Sequence, residues 1–178
     1  AMEFIQSMNT KCKIENNPLN PHVITFSSIQ CGSVPNVISD KCKVLGTVRT
    51  FDNNIRNKIH EDILKISHLS SEKYGCAVNV EYDFQYPPLI SDALLTKKFV
   101  KATKSLIGSN NVLPLEKTFA AEDFACFAQN VPSVHFRLGI ADKYKGMNAL
   151  HSPNFNVSDE SILNGIYIIT NFIFSLGC

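Results

Sequence analysis

The sequence predicts a mixed α/β and α+β protein built in two parts, and three observations carry that expectation. The 178 residues are 44% apolar and 19% charged, the balance of a globular chain long enough for one ordinary domain or two small ones. Residues 1–87 run helix, strand, strand, helix, strand. Beyond the proline pair Pro87-Pro88 the texture changes to helices alternating with short strands, so the expected domains are 1–87 and 88–178.

Ala1 to Asn9 reads as a helix with no residue to cap it, followed by a polar loop containing Pro18 and Pro21. His22 to Ile29 and Cys42 to Phe51 read as strands, the second rich in β-branched residues that suit a pleated surface, with a turn region from Cys31 to Asp40 between them. Asp52 or Asn53 is placed to cap the next helix. There Ile55, Ile59, Ile63 and Ile66 recur at steps of four, four and three to form one apolar stripe, and Gly75 offers a left-handed stop. Cys76 to Phe84 reads as a third strand, ended by prolines that have no amide hydrogen for a ladder. Helix-strand-strand-helix-strand is the ferredoxin-like β-α-β-β-α-β unit with its first strand missing. That strand is usually internal to the sheet, so without it backbone groups and an apolar face lack partners.

In the second part Ser91 is expected to cap a helix running to Ile107 and stopping at Gly108. Asn111 to Leu115 and Val134 to Leu138 read as strands, with a short helix from Ala121 to Gln129 between them. A loop carrying His151-Ser152-Pro153 precedes a last helix capped by Ser158, with Asp159 and Glu160 well placed against the helix dipole. Ile162, Leu163, Ile166, Ile169, Phe172, Ile173 and Leu176 make that helix apolar around much of its circumference. It therefore asks for burial on several sides, as part of a larger α/β layer.

Composition removes several function classes. A net charge of +1 provides no field to attract nucleic acid or an anionic membrane, and Lys97, Lys98, Lys101 and Lys104 read as the solvated face of an amphipathic helix. The apolar run Gly165 to Leu176 is too short to span a bilayer, which takes about 20 residues. Ala1 to Thr10 lacks the basic start and cleavage site of a secretory leader. The six cysteines are scattered without a C-x-x-C pair, which fits reduced thiols in the cytoplasm.

Single residues define no active site. His60 and His68 stand eight apart on one helix, too far to share an ion easily, and His22 and His135 fall in strands, where packing is the default role. Neither H-E-x-x-H, a phosphate loop nor a G-x-S-x-G elbow occurs.

Five short motifs read together are more informative. Pro35-Asn36-Val37-Ile38, Gly46-Thr47-Val48-Arg49-Thr50-Phe51, Tyr86-Pro87-Pro88, Ala121-Glu122-Asp123-Phe124 and His151-Ser152-Pro153-Asn154-Phe155 occur in that order. Together they resemble the second half of the amidohydrolase branch of the zinc aminoacylase and carboxypeptidase family, which includes hippurate hydrolase, N-acyl-amino-acid amidohydrolase and the plant auxin-conjugate hydrolases. The resemblance implies an incomplete ferredoxin-like dimerisation lid over 1–87, followed by the C-terminal half of a metallopeptidase-type catalytic domain over 88–178. It implies that His151 ligates one ion of a two-metal centre of Zn²⁺, Mn²⁺ or Co²⁺, a role an imidazole nitrogen suits. By the same resemblance Asn36 reaches the substrate and Arg49 holds its carboxylate, for which a guanidinium fork is well shaped. Glu122 and Asp123 match an acidic pair lining the pocket; as adjacent residues they point apart, and capping the following helix is an equal alternative.

The match departs from the family pattern at Ser39, where proline is usual, and at Cys31-Gly32, where two glycines are usual. The other metal ligands, the general-base glutamate and the lid histidine of the family come from the first half of its chain, and none has a counterpart here. One histidine neither holds an ion firmly enough to acidify water nor takes its proton. The expectation is therefore no catalytic residue in this chain and at most one weak metal site. It is either a fragment that cleaves N-acyl amino acids once complemented by the missing N-terminal half, or a non-catalytic remnant or dimerisation module that pairs as a homodimer through the lid.

Overall fold

A computed structural model describes residues 1–177, leaving Cys178 outside the described residues. The chain divides into two compact units, one formed by Ala1–Leu89 with Phe119–Asp123 and the other by Ile90–Thr118 with 124–177.

The first unit lays two helices on a hairpin. β1 (His22–Cys31) and β2 (Cys42–Thr50) pair antiparallel, from His22 opposite Thr50 to Cys31 opposite Cys42. The register slips between Phe26 and Ser28, a bulge that bends the strand. His22, Ile24, Phe26 and Ser28 alternate onto the covered face, and Phe26 meets Phe4 of α1 (Met2–Glu15) edge-on at 5.9 Å. Gly46 lies across from Phe26 because a Cβ there would stand 2.7 Å from the Thr25 carbonyl oxygen. α2 (Asn53–Tyr74) begins where the Asp52 carboxylate accepts from the amides of Asn54 and Ile55, and it ends at Gly75, whose φ of 59° is the left-handed stop. Met8 and Ile59 form the core between the helices, and the ion pairs Lys11–Asp62, Lys58–Glu15 and Lys73–Glu3 tie their rims.

The expected third strand, Cys76 to Phe84, is not a strand. Among the described residues the sheet has two members, and no neighbouring strand offers residues 76–84 a ladder. The segment is held by side chains instead: His60 of α2 packs on Tyr82 at 4.6 Å and on Phe84 at 5.0 Å, and the Arg56 guanidinium lies over the Phe84 ring at 4.9 Å.

The second unit packs α3 (Ala93–Ile107) against α5 (Asp159–Ser175), with the short α4 (Ala125–Ala128) between them in sequence. Phe99 is its centre, 4.9 Å from Phe136 and 5.1 Å from Phe172, with Ala125 and Ile168 also buried. The cap of α3 is Asp92, which accepts from the Leu95 amide, and not Ser91, whose hydroxyl instead accepts from the His135 amide. The expected strands Asn111 to Leu115 and Val134 to Leu138 form no ladder, and Ser109–Asn111 make a 3₁₀ turn. Ser158 opens α5 without a side-chain cap bond. The several-sided burial expected of α5 is also not observed: Ser161, Gly165 and Ile168 are covered while Ile162, Leu163, Ile166 and Phe174 are exposed.

Candidate functional site

The first unit presents Arg49 near the end of β2, opposite Val23. It is exposed, and its Nη1 donates to the Phe119 carbonyl oxygen at 2.8 Å. Phe119 also stacks on Phe51 at 4.5 Å, so the segment carrying Glu122 and Asp123 is fastened to the end of the hairpin that bears Arg49. Glu122 is half-buried and Asp123 exposed. α4 starts at Ala125 with Phe124 in the cap position, so Glu122 and Asp123 stand immediately before the helix.

Asn36 is elsewhere. It sits in the exposed turn between the strands, where the Val37 amide donates to the Val34 carbonyl and the Ser39 hydroxyl donates to the Lys41 carbonyl. Arg49 lies seven residues beyond Cys42, the first residue of β2. At about 3.3 Å per residue that is roughly 23 Å of strand, more than an amino-acid-sized molecule spans. Asn36 thus belongs to the turn at the opposite end of the hairpin from Arg49.

In the second unit His151 is exposed at the third position of a turn closed by the Ser152 amide on the Ala149 carbonyl. Its φ is 67°, and it is the one non-glycine residue with positive φ among the described residues. Such a conformation costs an ordinary side chain about 1–2 kcal/mol, and the surrounding loop bonds hold it in place. Asn148 donates to the Asn154 carbonyl, the Gly146 amide to the Asn156 side chain, and the Ser158 amide to the Ile140 carbonyl. Asp142 anchors the start of this loop: the Tyr144 amide, the Ser158 hydroxyl and the Lys145 amide together hold its carboxyl below the usual carboxylate range. Lys145 in turn pairs with Asp159 at 2.9 Å. Asp142, Gly146 and Asn156 support the loop that aims His151, yet none stood out in sequence. The available signal was the turn-forming Asp142…Gly146 stretch before the histidine.

The sequence model of peptidase family M20/M25/M40 matches residues 8–175. The chain belongs to that family. Over 173 residues it is 30% identical to a probable hydrolase of Synechocystis sp., covering 96% of this chain and 44% of the relative. It is 28% identical to the N-acetyldiaminopimelate deacetylase of Enterococcus faecalis, covering 99% and 46%, and 26% identical to IAA-amino acid hydrolase ILR1-like 2 of Arabidopsis thaliana, covering 94% and 39%. A candidate aminohydrolase from methicillin-resistant Staphylococcus aureus superposes with a TM-score of 0.85 at 26% identity, over 98% of this chain and 44% of that one. Bacillus subtilis YXEP, described as a dinuclear metal binding peptidase, shares the fold at a TM-score of 0.72 and 18% identity, over 99% and 46%. The chain thus spans less than half the length of the relatives it matches.

Among the described residues no three His, Cys, Asp or Glu side chains gather closely enough to hold a metal ion. The residues present do not fit a two-metal centre by themselves. His151 offers one imidazole, where even a single firm site takes three or four ligands. No helix among the described residues is long and apolar enough to cross a membrane.

Proposed function

We propose that this chain supplies the lid and the carboxyl-terminal side of the catalytic domain in a metal-dependent amidohydrolase that cleaves the amide of N-acyl amino acids, on the hippurate and auxin-conjugate branch. The observation that carries the reading is His151, a motif histidine kept in a costly left-handed turn by bonds on both sides of it. Backbone strain of this kind persists mainly where a site uses it. Arg49 receives the substrate carboxylate, Asn36 reaches the substrate, Glu122 and Asp123 line the pocket, and His151 gives one ligand to an ion that acidifies water. The remaining ligands and the general base are those that the family carries in the first half of its chain, and these 178 residues without them are inactive.

On this reading residues 1–87 are a ferredoxin-like dimerisation lid lacking one strand, 88–178 belong to the catalytic domain, and the protein is cytoplasmic. The separation of Asn36 from Arg49 along the hairpin supports a homodimer through the lid, in which two copies provide what one cannot. To test the proposal, the chain is mixed with the N-terminal half of a family member carrying the other ligands, and release of free amino acid is followed with added Mn²⁺ or Zn²⁺. Turnover in the mixture supports it; a stoichiometric complex without turnover sinks it.

The second reading is a non-catalytic remnant or dimerisation module. It is favoured by the exposed apolar residues of α5 and by segment 76–84 without a ladder. It predicts an oligomer in size-exclusion chromatography, and a compact, stable monomer counts against it.

A further inference from the structure

The hairpin brings together two cysteines that are well separated in sequence. Cys31 is the last residue of β1 and Cys42 the first of β2, and the register sets them directly opposite one another. Both are free and exposed. Residues directly opposite in antiparallel strands project to the same side of the sheet, with Cα atoms about 4.5–5.5 Å apart. A disulfide spans Cα atoms about 4.4–6.8 Å apart, so the backbone already stands at bridging distance. The sulfurs also sense each other: desolvation pushes the Cys42 thiol up, and a hydrogen bond with Cys31 and the charge of that neighbouring thiol act in the same direction. Cys12 lies on α1 and Cys126 on α4, and Cys76 has no strand partner, so none of these faces a second cysteine across a ladder.

We propose that Cys31 and Cys42 are a modification site, a thiol pair that closes to an intramolecular disulfide by exchange with a small-molecule disulfide such as oxidised glutathione. One cysteine thiolate attacks a sulfur of the small disulfide, forms a mixed disulfide and expels the first small thiolate. The opposite cysteine thiolate then attacks the protein sulfur of that bond and expels the second. Two protein S–H bonds are lost and one S–S bond forms. The two electrons reduce the small disulfide, and the two protons end on the small thiols it releases. The second step is favoured because the resolving sulfur is held beside the mixed disulfide and does not have to diffuse to it. Closure joins the two ends of the loop that carries Pro35, Asn36 and Val37, which the hairpin otherwise holds only by strand pairing and by the turn bonds of Val37 and Ser39. The inference does not depend on the amidohydrolase reading.

The full chain is incubated with oxidised glutathione, quenched with acid, and mapped by mass spectrometry without reduction. The expected product is a monomer that has lost two hydrogen atoms and yields a Cys31–Cys42 linked peptide, in an amount unchanged on dilution of the protein. Cys31→Ser and Cys42→Ser are each expected to keep one stable glutathione adduct on the cysteine that remains. The unmutated chain decides the matter even if a variant folds poorly. Stable glutathione on both cysteines, a link joining two chains, or no reaction at either sulfur overturns the proposal.

Discussion

Replacing Gly146 by alanine tests whether the His151 loop is held by its backbone. Gly146 has a φ of 80°, and a Cβ there would lie 2.2 Å from the Ile140 carbonyl oxygen, 2.5 Å from the Ala141 Cα and 2.6 Å from the Ile140 carbonyl carbon. All three are main-chain atoms, so no side chain can swing aside. The left-handed φ costs about 1–2 kcal/mol for alanine, and overpacking against a fixed neighbour about 1–3 kcal/mol more. The bonds opposing that strain, Gly146 amide to Asn156 and Ser158 amide to Ile140 carbonyl, contribute about 1 kcal/mol each. Strain of about 2–5 kcal/mol against about 2 means that in Gly146→Ala the loop opens locally while the helices stay folded. Hydrogen exchange should show lost protection at the Ser158 amide and retained protection within α3. Gly139→Ala is the control, since nothing lies within 4 Å of a Cβ there and its φ is not positive. Unchanged Ser158 protection in Gly146→Ala would refute the idea that close backbone packing fixes this loop.

Other perturbations have directions set by the same structure. Phe99→Ala removes the ring between Phe136 and Phe172 and should cost about 3–5 kcal/mol in urea unfolding, with the loss reported by probes in the second unit. His22 is buried with no partner for Nδ1, and burial first, then Lys58, lowers its pKa against a smaller upward pull of Glu15 than that of burial downward. A depressed folded pKa means its stabilising contribution is complete above the usual 6.5 and is lost as pH falls from there through the folded value. Urea midpoints should therefore decline over that window in the native chain and decline less in His22→Phe. In a complemented enzyme, Arg49→Lys should raise KM for the substrate more than it changes kcat, because an ammonium lacks the two-pronged fit to a carboxylate. Equal losses in both parameters would point to a damaged Arg49–Phe119 contact instead.

Local signals were legible where they act locally. The stripe of Ile55, Ile59, Ile63 and Ile66, the Asp52 cap and the Gly75 stop define α2 in the sequence and in the structure alike. The first two strands were readable from β-branched content, though not the bulge at Ser27, which depends on which residue stands opposite. What failed needed a partner. Cys76 to Phe84 and Val134 to Leu138 carry strand composition, but a ladder requires a neighbouring strand, and among the described residues none pairs with them. Ser91 and Asp92 are both good caps; the choice turned on the His135 amide, which takes the Ser91 hydroxyl. Family membership was readable because ordered motifs survive in sequence. The placing of Asn36 far along the hairpin from Arg49, and of Cys31 against Cys42, was not, because it follows from strand register.

These residues alone are expected to fall short of holding and activating a hydrolytic metal centre. The purified chain is dialysed against Zn²⁺ or Mn²⁺, its bound metal is counted, and hydrolysis of an N-acyl amino acid is followed in the same sample. The account predicts at most one weakly bound ion, lost in His151→Ala, and no turnover. Two tightly held ions together with steady release of amino acid from the unaccompanied chain would contradict it.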